Sequence, residues 1–159
     1  MKEGLSKKIK GRKADHLEIC LKEDVQARRM TTGFEELFFI HRALPEIERG
    51  KINLATTVFN HKFAAPLIVE PMTGGVDKAT EINAAIPGAV EKLGLGMCLG
   101  SQRAAIEDRA LEHTFTVARE EAPNAFLVAN LGGPQLVNEY GIREARRAVK
   151  MLQADALAC

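Results

Sequence analysis

Little in this sequence leans toward one sign of charge. Its 22 Lys and Arg offset 21 Asp and Glu to a formal net charge of +1, so nothing global recommends nucleic acid or a membrane surface as partner. No apolar run approaches the roughly 20 residues that span a bilayer, and the basic N-terminus leads into no signal-peptide core. The three cysteines, Cys20, Cys98 and Cys159, are odd in number and lack metal-ligand spacing. Cys20 and Cys98 lie in strand-like runs and read as small buried hydrophobes in a reducing cytoplasm. His16, His41, His61 and His113 have no partner at ligand spacing, which argues against a metal site within the chain. Low-complexity segments and flexible linkers are also missing.

What is present is enough chain, 159 residues, for one compact domain with a real core. The organising stretch runs from Ala65 to Gly75. Leu67 to Val69 is β-branched enough for a buried strand, and it passes through Met72-Thr73 into paired glycines before a helical pattern begins near Lys78. Strand, glycine turn and helix form the unit that places ligands at the carboxyl ends of parallel strands. The arrangement recurs. Strands predicted at Leu95–Leu99 and Ala125–Ala129 end at Gly100-Ser101-Gln102-Arg103 and at Asn130-Leu131-Gly132-Gly133, and a fourth begins at Asp155.

Between them lie amphipathic stripes: Ile82, Ile86, Val90 and Leu93; Ile106, Ala110, Val117 and Ala118; and Ala145, Ala148, Val149 and Leu152, with Arg146, Arg147 and Lys150 toward water. Pro87-Gly88 inside the first stripe predicts a kink or break. Thr73, Ser101 and Asn130 recur about 29 residues apart, the beat of parallel βα units. A closed (β/α)₈ barrel takes roughly 250 residues, so the pattern predicts an α/β fold, the N-terminal half of a TIM barrel. An open four-stranded sheet is the alternative. On this reading Leu67, Val69, Met97, Leu127 and Val128 face the barrel interior.

Residues 1–63 read as an N-terminal extension and 64–159 as three βα units with the start of a fourth strand. The basic residues Lys2, Lys7, Lys8, Lys10, Arg12 and Lys13 open the extension as a solvated terminus. Leu17 to Lys22 alternates with period two, a half-buried strand. Phe34, Leu37, Phe38 and Ile40 form an apolar patch for packing on the main domain. Asn53 to Phe63 reads as two extended pieces around a turn at Asn60-His61-Lys62.

In a βα barrel Thr73, Ser101, Gln102, Arg103 and Asn130 converge on one mouth. None is a strong acid or base at neutral pH. Hydroxyls, amides, glycine-backed N–H groups and one guanidinium suit a polar planar cofactor and a phosphate. The Arg103 fork matches a phosphate; a surface ion pair with Glu107 at i+4 is its other reading. Asn130 equally suits a turn cap before Gly132-Gly133.

These residues also carry a family resemblance. Arg12-Lys13-Ala14-Asp15-His16, Ala65-Pro66 through Gly75, Gly100-Ser101-Gln102-Arg103, Asn130 through Val137 and Ala154 through Ala158 resemble, in order, the N-terminal part of type 2, flavin-dependent isopentenyl diphosphate isomerases of archaeal type. The resemblance implies a (β/α)₈ barrel in which reduced FMN, acting as acid/base cofactor, interconverts isopentenyl and dimethylallyl diphosphate. It implies NADPH to reduce the flavin, Mg²⁺ to hold the diphosphate, a cytoplasmic location and a homo-oligomer when whole. Carried over, Pro71, Met72 and Thr73 line the flavin, and Ser101 and Asn130 hydrogen-bond it. Arg12, Lys13, Ser101, Gln102 and Arg103 hold the diphosphate, with Arg12 and Lys13 folded over the barrel mouth.

Glu70-Pro71 departs from the small or hydroxylic residues usual there. The family's next motif, a His-Leu-Asn run followed by Gln and a metal-binding Glu, is expected just beyond Cys159. The resemblance therefore implies no catalytic residue within these positions and an incomplete, inactive piece. The alternatives are a non-catalytic half-barrel that needs a partner chain, and another FMN-dependent TIM-barrel oxidoreductase.

Overall fold

The computed structural model describes residues 2–159, with side chains from Gly11 onward. In chain order the elements are α1 (Lys2–Lys22), β1 (Thr56–Val58), β2 (His61–Phe63), β3 (Ile68–Val69), α2 (Asp77–Leu93), β4 (Gly96–Cys98), α3 (Arg103–Glu107), α4 (His113–Glu121), β5 (Phe126–Asn130), α5 (Gly133–Asn138), α6 (Ile142–Leu152) and β6 (Ala156–Ala158). Strands β3-β4-β5-β6 form one sheet in sequence order, every neighbour parallel. Helices on connections between sequential parallel strands make this the N-terminal half of a (β/α)₈ barrel. Among the described residues no helix is long and apolar enough to cross a membrane.

Register settles which strand residues face which side. Gly96, Met97 and Cys98 oppose Phe126, Leu127 and Val128. Met97, Leu99, Leu127 and Ala129 pack with Val90 of α2, Phe115 and Ala118 of α4, and Ala148 and Leu152 of α6. They belong to the layer between sheet and helices. Val69 packs there too, so the expectation that Val69, Met97 and Leu127 line the barrel interior is corrected. A continuous apolar run has no period-two signal to say which face is which. Val128, one residue out of phase with Leu127 and Ala129, lies on the other face with Cys98 and Asn130.

At the amino ends of the strands a hairpin forms a floor. Phe59 and Asn60 both have positive φ, 49° and 61°, the signature of a two-residue turn whose twist matches its strands. The turn is thus Phe59-Asn60, and His61 and Lys62 belong to β2. The hairpin's aromatics meet the first residue of β5: ring centroids of Phe63 and Phe126 are 5.0 Å apart, and those of His61 and Phe126 5.2 Å.

Four further expectations fail. Leu17 to Lys22 is helical, the last part of α1, because only Leu17 finds cover while Ile19, Cys20 and Leu21 are exposed and no strand partner is at hand. Cys20 is therefore not a buried hydrophobe. The patch of Phe34, Leu37, Phe38 and Ile40 is largely exposed among the described residues instead of packing on the main domain; Phe38 is 88% and Ile40 94% exposed. Helix α2 is not broken at Pro87, so of the expected kink or break the break is absent; Pro87 is buried along with Ala79, Asn83 and Val90, whereas Leu93 is exposed. The helix after β4 is three pieces, α3, a 3₁₀ turn at Arg109–Leu111 and α4, divided where the Asp108 carboxylate accepts from the Ala110 N–H. That Asx cap is the kind of local bond that competes with helix continuation.

Two basic side chains act as staples. Arg119 donates to the carbonyls of Leu152, Ala122, Pro123, Ala125 and Gln153 and to the Asp155 carboxylate, tying α4 to the approaches of β5 and β6. Arg147, expected in water, donates to the Ala105 and Ile106 carbonyls at the end of α3 and pairs with Glu112. The helical backbone of α1 includes residues 2–10, and the side chains of Lys2, Lys7, Lys8 and Lys10 lie outside the described residues.

Candidate functional site

The site is built where the strands end. Beyond the paired residues the ladder continues as single bonds: Gly100 N–H donates to the Thr73 carbonyl at 2.8 Å, Gln102 N–H to the Asn130 carbonyl at 2.9 Å, and Leu131 N–H to the Ala158 carbonyl at 3.0 Å. These bonds bring Thr73, Ser101 and Asn130 together on three adjacent strand ends. Pro71 and Met72 lie exposed beside them.

The turn after β3 is held down tightly. Gly74 has φ 137° and Gly75 φ 81°, conformations that suit glycine. A Cβ on Gly74 would sit 2.1 Å from the Phe115 ring. Gly75 N–H donates to Thr114 Oγ1 at 2.9 Å, and that hydroxyl donates in turn to the Leu111 carbonyl at 2.7 Å. Asn83 Nδ2 donates to the Thr114 carbonyl at 2.8 Å, and the Thr73 hydroxyl donates to Asn83 Oδ1. Asn83 and Thr114 are fully buried. The Thr73 hydroxyl therefore points back into the α2–α4 layer, leaving the backbone of Thr73 for the mouth.

Lys13 crosses to this turn from α1. Its ammonium donates to the Gly74 carbonyl at 2.7 Å and the Ser101 carbonyl at 2.9 Å and lies 5.5 Å from the centre of the Phe115 ring. Burial, with Arg12 beside it, lowers its pKa to about 8. Leu17, one turn on, is buried on the same side of α1. The gap between α1 and the turn, lined by Lys13, His16, Leu17, Met72, Thr73, Gly74 and Val76, is about 20 Å³, room for one water. Arg12 is exposed. Lys13 therefore stands against the strand-end turns, with the exposed Arg12 as its neighbour in sequence.

Gln102 and Arg103 do not face an open mouth. Gln102 is fully buried: its Oε1 accepts from Asn130 N–H at 3.0 Å and its Nε2 donates to the Ala148 carbonyl at 2.9 Å. It clamps the β5 turn to α6, a consequence of pointing outward from the barrel. Arg103 Nε donates to Glu107 at 2.7 Å and its Nη2 to Glu139 at 3.2 Å, and Tyr140 Oη donates to Glu107 at 3.1 Å. The i, i+4 ion pair, its alternative reading, is the arrangement found. The Glu107 hydrogen bond, chiefly, raises the Arg103 pKa further.

Asn130 turns its amide to the inner face, where Nδ2 lies 3.9 Å from Cys98 Sγ. Burial raises the Cys98 thiol pKa, the Asn130 contact opposes this, and the charge of nearby Glu70 adds to the rise. Glu70 is exposed on this side, so the charge anticipated near the site is present but hydrated.

Sequence patterns missed Asn83 and Thr114. The signal was there for Asn83: Ala79, Asn83, Pro87 and Val90 are the buried residues of α2, a stripe that shares Val90 with the anticipated one but centres on Asn83 and Pro87, each one residue past Ile82 and Ile86. A polar residue at the centre of a buried stripe demands partners.

A parallel βα half-barrel whose strand ends bring together the Pro71–Met72 edge, Ser101 and the inward Asn130 carboxamide, with the Lys13 ammonium seated beside them, is a scaffold for holding a cofactor and an anionic group. The chain belongs to the FMN-dependent dehydrogenase family, whose profile matches residues 5–148. It is similar to proteins named isopentenyl-diphosphate delta-isomerase. It is 50% identical over 147 residues to that of Archaeoglobus fulgidus (92% of this chain, 42% of the relative) and 52% identical over 147 residues to that of Ignicoccus hospitalis (92% and 40%). Identity to that of Nostoc sp. is 45% over 152 residues (96% and 43%). The chain spans about two-fifths of the length of the curated relatives it matches.

The donors fit a flavin. The inward carboxamide of Asn130 offers a donor and an acceptor, as a pyrimidine edge needs, and the Pro71–Met72 edge is open to a ring. FMN is the cofactor named for the family to which this chain belongs.

Proposed function

We propose that the protein interconverts isopentenyl diphosphate and dimethylallyl diphosphate with FMN in its reduced form, in isoprenoid synthesis. The observation that carries this reading is the seat of Lys13. Its ammonium, with Arg12 next to it, rests on the Gly74 and Ser101 carbonyls, directly beside the strand ends that suit a flavin. A hydroxy-acid oxidoreductase needs one cation for a carboxylate; a pair of cations suits a diphosphate better. The names of the relatives agree with this choice.

In this proposal Pro71, Met72 and the Thr73 backbone line the ring, and Ser101 and Asn130 hydrogen-bond it. Bound FMN supplies the proton transfer that moves the double bond, for which no strand-end side chain here is acid enough. Arg12 and Lys13 hold the diphosphate. Arg103 joins them by exchanging a carboxylate partner for a phosphate, and Gln102 acts from behind, by fixing Asn130. Residues 1–63 form the N-terminal extension, of which α1 is the covering arm, and 64–159 the barrel units. NADPH as reductant, Mg²⁺ on the diphosphate, a cytoplasmic location and a homo-oligomer complete the reading.

The test uses protein expressed from its complete reading frame, assayed with isopentenyl diphosphate, FMN, NADPH and Mg²⁺. Lys13→Met should raise KM roughly tenfold or more, the loss of one charge-assisted contact, while FMN affinity stays within about twofold of wild type. Absence of turnover with isopentenyl diphosphate, together with flavin reduction by a 2-hydroxy acid, would replace this reading by the oxidoreductase one.

A further inference from the structure

We infer that Asn83 and Thr114 are positioning residues for the flavin-lining turn Pro71–Gly75, acting from behind it; this rests on the flavin reading above. Neither side chain reaches the mouth. Both are fully buried, between α2 and the start of α4. Yet between them they take the turn's outward-directed polar groups. Thr114 Oγ1 accepts from Gly75 N–H at 2.9 Å, and Asn83 Oδ1 accepts from the Thr73 hydroxyl. The two positioning residues are themselves joined, Asn83 Nδ2 to the Thr114 carbonyl at 2.8 Å.

Every atom of this chain of bonds is directed. Thr114 Oγ1 donates onward to the Leu111 carbonyl at 2.7 Å, so its lone pairs are left for Gly75. The Asn83 amide gives one N–H to the Thr114 carbonyl, which orients its oxygen toward the Thr73 hydroxyl. A buried network in which each of these polar atoms has a partner favours this arrangement, because breaking any one bond leaves a polar group unpaired in a low-dielectric interior. The turn needs that restraint. With φ of 137° and 81° at Gly74 and Gly75 it occupies backbone conformations in which paired glycines are otherwise loose. Its mouth-facing side then passes the restraint on: the Thr73 carbonyl receives Gly100 N–H at 2.8 Å, and the Gly74 carbonyl receives Lys13 at 2.7 Å. One network thus sets both the flavin-lining backbone and the carbonyl seat of the substrate-side cation.

The experiment compares wild type, Thr114→Val, Thr114→Ser and Asn83→Asp in protein from the complete reading frame. Two quantities are read: hydrogen exchange of the peptide containing Gly75, and FMN affinity from quenching of flavin fluorescence. Valine keeps the volume of Thr114 and removes the acceptor. It should speed exchange at Gly75 and weaken FMN on the order of tenfold, and serine should restore both to within about twofold. Asn83→Asp keeps the shape and the acceptor for Thr73 but sets a carboxylate against the Thr114 carbonyl. It should weaken FMN likewise, and it reads the network independently should the valine variant fail to fold. Thermal midpoints that fall in these variants while FMN affinity stays at the wild-type value would overturn the positioning role and leave a purely structural one. A wild-type protein that does not quench flavin would instead overturn the flavin reading, and the positioning role with it.

Discussion

The ammonium of Lys13 and the carbonyl of Ser101, 88 positions apart in the sequence, meet at 2.9 Å. This bond, with its companion to Gly74, is what turns a basic N-terminal segment into part of the strand-end face. It also places a titrating group there.

The Lys13 pKa of about 8 lies below the ordinary 10.5, through burial first and Arg12 second. Two consequences differ in sign. Diphosphate binding needs the charged form, so kcat/KM for the diphosphate substrate should fall as pH rises through about 8, the pKa of the free enzyme. Stability should move the other way. Between pH 8 and 10.5 the unfolded chain holds this proton and the folded one releases it, so the residue's contribution rises with pH across that window, by on the order of 2–3 kcal/mol. Denaturant unfolding of wild type minus Lys13→Met checks it: the difference should be flat below pH 8 and climb above it.

Gly100→Ala should destabilise the protein by about 1–3 kcal/mol. An added Cβ would lie 2.4 Å from the Thr73 carbonyl oxygen, which is backbone and already receives the Gly100 N–H. Gly133→Ala, where an added Cβ meets nothing within 4 Å, serves as the control and should change urea stability little. Equal losses in the two variants would show that the strand-end contact is looser than described.

Arg119→Met should cost about 2–4 kcal/mol, because it strips a shared donor from carbonyls at the junction of α4, β5 and β6. Arg119→Lys should recover only a small part, since a single ammonium cannot span those acceptors as a planar fork does. Urea midpoints of the two variants decide it.

Pro87→Ala should raise the thermal midpoint. The helix is continuous through Pro87, so the substitution restores a missing backbone donor and removes a penalty of about 3 kcal/mol. Against that stands the buried volume of the ring, whose loss costs about 1 kcal/mol. An unchanged or lower midpoint would mean that packing around the ring outweighs helix propensity.

Local pattern alone determined the four parallel strands, their spacing and the polar residues at their ends. Apolar runs closed by Thr73, Ser101 and Asn130 carry that information within a few residues, and the βα rhythm orders them. The i, i+4 spacing likewise contained the Arg103–Glu107 pair as one of two readings. What only the tertiary structure decided is everything that depends on which partner stands opposite. Leu17 to Lys22 alternates like a strand but is helical, because a strand needs a neighbouring strand and α1 offers Leu17 and Lys13 to the barrel instead. Val69, Met97 and Leu127 face helices rather than the barrel interior, since a run apolar on both faces does not encode its own orientation. Gln102 reads as a ligand in sequence and is a buried clamp in space. Asn83 and Thr114 are separated by a strand and a helix, and their bond forms only once α2 and α4 pack together. Hydrogen bonds across such sequence distances have no periodicity to betray them; they exist only as a property of the assembled fold.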